Sequence, residues 1–342
     1  MQYNSAVQAL NDWYDCHAQP YSWRSRHHPW PVWVAEIMLQ QTRTATVERY
    51  YPLFMQLFPT PGALAAAPET HLMQVWKGLG YYRRARMLRE GARYVADTLA
   101  GGYPDNLEDW LAVPGIGPYS ARSISAIAYD AAHLPIDGNV ARVHARLHRR
   151  RMAARQLPAR EVALWEAALA QHGARRAVQA LMEVGSTICL PRAPRCGLCP
   201  LRDHGCRSGV DPARAGRYGA APIRKVAVTT PMVALAVESA GRWLMVQRPA
   251  TGLLAGQWGL PVIAAQDERL ARWPKAKRTG TETVAFSHRR WDCEVRLYPQ
   301  ASAALQRRAQ ALGGQWCAEP SAVIGSRAME TIWQCARRLA AS

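Results

Sequence analysis

Cys189, Cys196, Cys199 and Cys206 fall within eighteen residues, in the run CLPRAPRCGLCPLRDHGC, separated by gaps of six, two and six. Thiolates ligate iron–sulfur clusters and also structural zinc. Four of them this close can surround one metal centre without ligands from elsewhere in the chain. The spacing leaves iron–sulfur and zinc both open. Two disulfides would use the same residues, but MQYNSAVQALNDWY reads as a helix and not as a secretory signal, so a reducing compartment is expected. The scattered Cys16, Cys293, Cys317 and Cys335 are read as reduced and structural.

Three further segments carry chemistry. Glu36 is the only charged residue between His28 and Arg43, set among Trp33, Val34, Ile37, Met38 and Leu39. Such surroundings desolvate a carboxyl and raise its pKa, which suits a general acid near neutral pH. The ordinary alternative is a helix-edge Glu paired with an Arg. Asp137 precedes Gly138, Asn139 and a basic helical stretch. An Asp there is an N-cap by default, and a carboxylate aimed into a cleft is the functional alternative. In VPGIGPYSA, Gly115 and Gly117 allow a tight turn between two helices. That turn would expose backbone N–H groups at a helix start, a ready phosphate site.

These residues must be held by a mostly helical scaffold. Up to Cys206 apolar residues recur at three- and four-residue steps, as in GYYRRARMLREGARYVADTLA and REVALWEAALAQHG, punctuated by Gly and Pro. GVDPARAGRYGAAPIRK lacks an apolar period and reads as a linker. TPMVALAVESAGRWLMVQRP then reads as two strands turning at 239–241. RRWDCEVRLYPQ alternates, ALGGQWCAEP is a further strand candidate, and SRAMETIWQCARRLAAS closes the chain as a helix. The boundaries that follow are 1–209 helical, 210–227 linker and 228–342 α+β. At 342 residues two domains are the default. The net charge of +18, from 43 basic and 25 acidic residues, points to a polyanionic partner, nucleic acid before membrane. No apolar run is long enough to span a bilayer.

GLGYYRRA, VPGIGPYSA, PIDGNVARV, EIMLQQT and the four cysteines closely resemble the endonuclease III superfamily of DNA glycosylases, and within it the MutY family of adenine DNA glycosylases. The resemblance is strong over the N-terminal part and thinner beyond it. It implies a multidomain fold: an all-α helix-hairpin-helix glycosylase with an iron–sulfur cluster loop, plus a C-terminal α+β Nudix-like domain. A six-helix barrel would span about 24–131, and a cluster-bearing helix-hairpin-helix lobe 1–23 with 132–209. By the same resemblance the four cysteines hold a [4Fe–4S] cluster. The family's last cysteine gap is usually five residues; here it is six, which implies a small loop bulge.

The implied activity is monofunctional removal of adenine mispaired with 8-oxoguanine, or with guanine, in duplex DNA, by a monomer in the bacterial cytoplasm at the nucleoid. Relatives that also cleave the strand place a lysine after the hairpin to form an imine; here Tyr119 and Ser120 stand there. Glu36 becomes the acid and Asp137 the opposing carboxylate, with Tyr119 and Asn139 orienting it. Gln41 resembles the residue that fills the gap left by a flipped base, and Tyr81 the wedge beside the lesion. Trp23, Arg24 and Gln179 resemble adenine-pocket positions. Tyr21 stands where relatives often have Leu. TGLLAGQWGLP and VAFSHRRWD resemble the Nudix-like domain, whose Phe286, Ser287 and His288 would meet the 8-oxoguanine. QWGLPVIAAQDERLARWPK provides no run of acidic residues to hold Mg²⁺, so the domain reads as a binding module. A thymine/guanine mismatch or oxidised-pyrimidine glycosylase would share the helical part without this domain. A non-enzymatic iron–sulfur DNA-binding protein would have no use for an isolated acid at Glu36.

Overall fold

A computed structural model describes residues 2–152, 157–219, 228–249, 252–286 and 289–341. The chain separates into two compact units, 1–69 with 84–223 and 70–83 with 224–342.

The first unit is helical. Helix Pro29–Leu39 is apolar on every face, and its residues 29–38 are all buried, as a helix without a polar stripe must be. Trp33 packs edge-on to Trp30 and Trp110, at centroid distances of 5.3 and 5.7 Å. Pro29 and Pro31 sit in the first turn, where a missing N–H costs nothing. A second cluster joins helices Gln2–His17, Gly138–Leu147, Ala159–His172 and Arg175–Thr187 through Leu10, Val143, Leu147, Trp165, Leu181 and Val184. Cys189, Cys199 and Cys206 pack against this cluster. Residues 210–219, read from composition as linker, carry a short helix, Pro212–Ala215. Its Ala215 is fully buried, and the Ala215 carbonyl accepts a hydrogen bond from Arg146 Nε at 3.0 Å. A long-range contact of this kind has no local signature.

The second unit is built on β1 (Val228–Ser239), β2 (Arg242–Gln247), β3 (Trp258–Gly259), β4 (Val262–Ala264), β5 (Arg278–Ala285), β6 (Arg289–Tyr298) and β7 (Gln315–Cys317). The order is β3-β2-β1-β6-β5, with β4 on β1 and β7 on β2. β1 and β6 run parallel from Val228 opposite Arg289 to Val237 opposite Tyr298. Alternation sends Ala234 and Ala236 to one face and Val233, Leu235 and Val237 to the other. Met329, Ile332, Trp333 and Ala336 of the final helix, Arg327–Ala341, cover the first face. The turn between β1 and β2 uses Ala240 and Gly241, both at positive φ (51° and 75°), which suits the twist of a two-residue hairpin. Among the described residues of 252–277, the one helical element is the 3₁₀ turn Glu268–Arg272, where Asp267 pairs with Arg269. It offers no acidic run.

The stretch 70–83 belongs with this sheet. Lys77 Nζ lies 3.8 Å from Glu330 Oε2, and the Tyr82 hydroxyl donates to the Gly325 carbonyl.

Candidate active site

Helix Pro29–Leu39 delivers Glu36 into the core at 6 % exposure. Burial pushes its carboxyl up to about 7. The nearby Asp137 adds to that rise, and the Ser123 and Tyr119 hydroxyls oppose it. Tyr119 lies in the first turn of helix Pro118–Tyr129, and Ser123 one turn further on. Burial, then the Glu36 and Asp137 carboxyls, hold the Tyr119 phenol well above its usual range, so it remains a neutral hydroxyl. Tyr119 Oη also donates to Met182 Sδ at 3.7 Å.

Asp137 is both things its sequence context allows. It caps helix Gly138–Leu147, Oδ1 accepting from the N–H groups of Asn139 (2.8 Å) and Val140 (2.7 Å). Oδ2 accepts from Asn139 Nδ2 at 2.9 Å. Three donors therefore fix this carboxylate, and its charge is near enough to Glu36 to raise the Glu36 carboxyl further. Asn139 is held in turn: its Oδ1 accepts from Arg142 Nη2 at 2.8 Å, and Arg142 Nε donates to the Cys189 carbonyl at 2.8 Å. Gly185 lets the next helix approach, since a Cβ there would lie 2.7 Å from Asn139 Cβ.

The hairpin has one sterically forced glycine. Gly115 adopts φ +83°, and a Cβ on it would stand 2.7 Å from Met87 Cβ. Gly117 has ordinary φ and caps helix Pro118–Tyr129, and a Cβ on it would meet nothing within 4 Å. Gln41 is exposed at φ +56°, just beyond helix Pro29–Leu39. The Arg84 guanidinium holds this turn: Nη1 donates to the carbonyls of Ile37 (2.8 Å), Met38 (2.9 Å) and Gln40, and Nη2 to Thr42 Oγ1 (3.0 Å). Tyr81, in the other unit, is 41 % exposed at φ +49°.

Arg24 and Gln179 line one polar cavity of about 270 Å³ with Tyr14, His27, Asp130 and Arg175. Arg24 pairs with buried Glu183 at 2.6 Å. Trp23 is buried and stacks on Tyr21 at 4.5 Å, away from that cavity's lining. Phe286 packs edge-on to Trp291 at 5.0 Å, against the sheet core. Ser287 and His288 lie outside the described residues.

All four clustered cysteines line a single cavity, together with Arg146, Arg202 and Ser208. Residues 201–205, between Cys199 and Cys206, form a turn in which Gly205 has φ +90° and Gln2 Nε2 donates to its carbonyl at 2.8 Å. Arg146, 2 % exposed, reaches Cys189 Sγ at 3.3 Å and the carbonyls of Leu190 (2.6 Å) and Pro191 (3.0 Å). Burial pushes the thiols of Cys196, Cys199 and Cys206 up, Cys199 to about 12. Among the described residues, no three His, Cys, Asp or Glu side chains are set closely enough to hold one metal ion. Of the remaining cysteines, Cys293 and Cys335 are buried, but Cys16 is exposed and so has no packing role.

Sequence reasoning missed Ser123, Arg84, Arg142, Arg146 and Glu183. A serine inside a helix and an arginine in a chain with +18 net charge carry no local signal. GLGYYRRA and PIDGNVARV do contain Arg84 and Arg142, so those motifs were the one available pointer.

The helical unit thus brings a buried acid and a capped carboxylate together with a glycine-turned hairpin. Residues 34–166 match the family model for the HhH-GPD superfamily base excision DNA repair proteins, and residues 232–334 match that for the NUDIX domain. Across 61 % of this chain and 97 % of the other, the fold resembles a solved thermostable thymine-DNA glycosylase at 25 % identity and a TM-score of 0.53. The adenine DNA glycosylase of Mycolicibacterium smegmatis is 36 % identical over 224 residues, covering 63 % of this chain and 75 % of that protein. The chain belongs to the adenine DNA glycosylase family. The rat member is 33 % identical over 314 residues, which is 75 % of this chain but 60 % of the rat protein, so the chain spans well under the full length of that relative. Among the described residues no helix is long and apolar enough to cross a membrane.

Proposed function

We propose that this protein is a monofunctional DNA glycosylase that releases adenine paired with 8-oxoguanine, or with guanine, from duplex DNA. The observation that carries the reading is the buried Glu36 carboxyl, raised by its burial and by the nearby, thrice hydrogen-bonded Asp137. The target nucleotide must leave the stack, at a cost of a few kcal/mol. Gln41, on its exposed turn, would fill the gap, and Tyr81 would wedge beside the lesion. The N–H groups beyond Gly115 and Gly117 would hold a phosphate. Arg24 and Gln179 would receive the base, while Trp23 is not among the residues that line their cavity.

Glu36, about half protonated at neutral pH, donates its proton to the departing base. The electron pair of the N-glycosidic bond leaves with adenine, and the sugar gains oxocarbenium character. Asp137, oriented by Asn139, stabilises that charge as in glycoside hydrolysis. The neutral Tyr119 hydroxyl positions both carboxyls. No lysine occurs among residues 78–224, so an imine-forming nucleophile is missing beside the hairpin. Borohydride trapping is therefore expected to yield no covalent DNA adduct, and strand cleavage to require added alkali.

Cys189, Cys196, Cys199 and Cys206 would hold a [4Fe–4S] cluster. Four soft donors line one cavity, the family resemblance favours the cluster over zinc, and buried Arg146 offsets the negative charge of thiolates. Bound there, the cluster would order a loop whose exposed Arg192, Arg195 and Arg202 meet phosphate. Phe286, Ser287 and His288 would read the 8-oxoguanine. A monomer acting on chromosomal DNA at the bacterial nucleoid is the setting this implies. The deciding assay offers duplexes with A opposite 8-oxoguanine, T opposite G, or thymine glycol. Release from the first alone is expected; release from either of the others, with none from the first, overturns the reading.

A further inference from the structure

Helix Pro118–Tyr129 buries three serines, Ser120, Ser123 and Ser125, at 3, 0 and 1 % exposure. Ser120 Oγ accepts from Gln40 Nε2 at 3.2 Å. The Ser123 and Ser125 hydroxyls have no well-formed hydrogen bond. A hydroxyl removed from water without a partner costs on the order of 1–3 kcal/mol, and alanine would fill either place without that cost.

Ser123 has a neighbour that explains it. It follows Tyr119 by four residues, so the two hydroxyls share one helix face. The Gln40–Ser120 hydrogen bond, 3.2 Å, sets the two helices against each other one turn from Glu36, and Ser123 stands one turn along from Ser120. Both act on the Glu36 carboxyl, and Ser123 also acts on Tyr119. The other charged group facing Glu36 is Asp137, from the cap of helix Gly138–Leu147; helix Pro29–Leu39 has no second charge. A hydroxyl can accept from a carboxylic acid and donate to a carboxylate simply by rotating. A group that can follow the charge state of its neighbour is what a buried general acid needs, because its carboxylate form has no water to turn to.

We propose that Ser123 is a positioning residue for the acid: its hydroxyl donates to one oxygen of the Glu36 carboxyl, keeps the transferable proton on the other, and stabilises the carboxylate left once the base has taken that proton. Ser123 retains its own proton throughout. The inference rests on Glu36 being the acid of the proposed reaction, but its hydrogen bond can be read without that reaction.

The test uses the full chain with ¹³C-labelled glutamate, with Glu36→Gln identifying the resonance. The Glu36 carboxyl is titrated in the wild type, Ser123→Ala, Ser123→Cys and Ser125→Ala. Loss of a donor to the ionised form moves the titration midpoint upward, by roughly half to one pH unit in Ser123→Ala. Ser123→Cys fills the space with a weak donor and should move it upward as well, which separates the hydrogen bond from the void. Ser125→Ala, equally buried on the same helix, should leave it unmoved. In single-turnover adenine release the alkaline limb should follow the midpoint, and the rate on the acid plateau should drop about threefold to tenfold. An unmoved or lowered midpoint in Ser123→Ala overturns the proposal, as does an equal rise in Ser125→Ala. A protein that releases no adenine while its Glu36 midpoint still responds to Ser123 refutes the glycosylase reading and leaves the hydrogen bond standing.

Discussion

The two ends of helix Gly138–Leu147 are built differently. At its start Asp137 is fixed by Asn139 and Val140, partners two and three residues away. At its end Arg146 is fixed by Cys189, Leu190, Pro191 and Ala215, partners 43 to 69 residues away. One end sets a negative charge by local hydrogen bonds. The other sets a positive charge by drawing a distant loop around it. Changes at the first should strike chemistry and spare the fold. Changes at the second should strike the loop, and reach chemistry only along the helix, through Arg142.

The largest effect should come from the acidic end. Glu36→Gln and Asp137→Asn are each expected to lower single-turnover adenine release by more than about 10³-fold while duplex binding survives, measured by product formation and by gel shift. Retained activity within a few-fold would break the contrast. Glu36→Gln makes a second, opposite prediction. A carboxyl raised from 4.5 to about 7 in the folded chain binds more protons folded than unfolded. Stability therefore falls as pH rises from about 4.5 to 7 and stays lower above it. The loss is on the order of 3 kcal/mol, at ~1.4 kcal/mol per pKa unit. The variant should thus denature at higher urea than the wild type at pH 8, and at nearly the same urea at pH 4.5. Equal midpoints at both pH values would show that Glu36 is not desolvated.

At the basic end, Cys199→Ser is expected to abolish the brown chromophore absorbing near ~400 nm and to weaken duplex binding. Wild-type protein that binds zinc, with sulfur distances near ~2.3 Å, would refute the cluster. The link between the ends is tested by Arg142→Ala. It removes the support of Asn139 Oδ1 and the grip on Cys189. Release should slow about 10- to 100-fold through misplaced Asp137, with iron content unchanged. If release is unaffected, the two ends are independent.

How much could be read beforehand follows the same division. Glu36 was legible because a lone charge in an apolar run has one environment available. Asp137 was legible as a cap, and its second role needed only Asn139 two positions on. The strands flanking 239–241 followed from alternation and turn chemistry. Arg146, Ser123 and the packing of Ala215 were not legible, because nothing near them in sequence changes when their partners arrive. The pairing of Tyr82 with Gly325 failed to show for the same reason, being 243 residues apart. Local order writes itself into spacing; long-range order writes itself only into which residues are tolerated.

The smallest expected effect lies in the second unit, where the proposed role is discrimination and not bond breaking. The double change Ser287→Ala with His288→Ala leaves Glu36, Asp137 and the cysteines untouched, so adenine opposite guanine should be released at close to the wild-type rate. What should shrink is the preference for 8-oxoguanine over guanine. The loss of contacts worth ~1–3 kcal/mol in total corresponds to a loss of preference of about 5- to 150-fold. Phosphate contacts dominate the salt dependence of binding, and neither residue contributes a fixed positive charge at neutral pH. The slope of affinity against salt should therefore stay as it was. Trp291, which Phe286 meets edge-on, gives the control. Phe286→Leu keeps an apolar side chain against that ring, and should cost some stability of the sheet, with preference read on the folded fraction alone. A double variant that retains full preference would move lesion reading away from this segment, and a flattened salt slope would show that the segment grips the backbone and not the base.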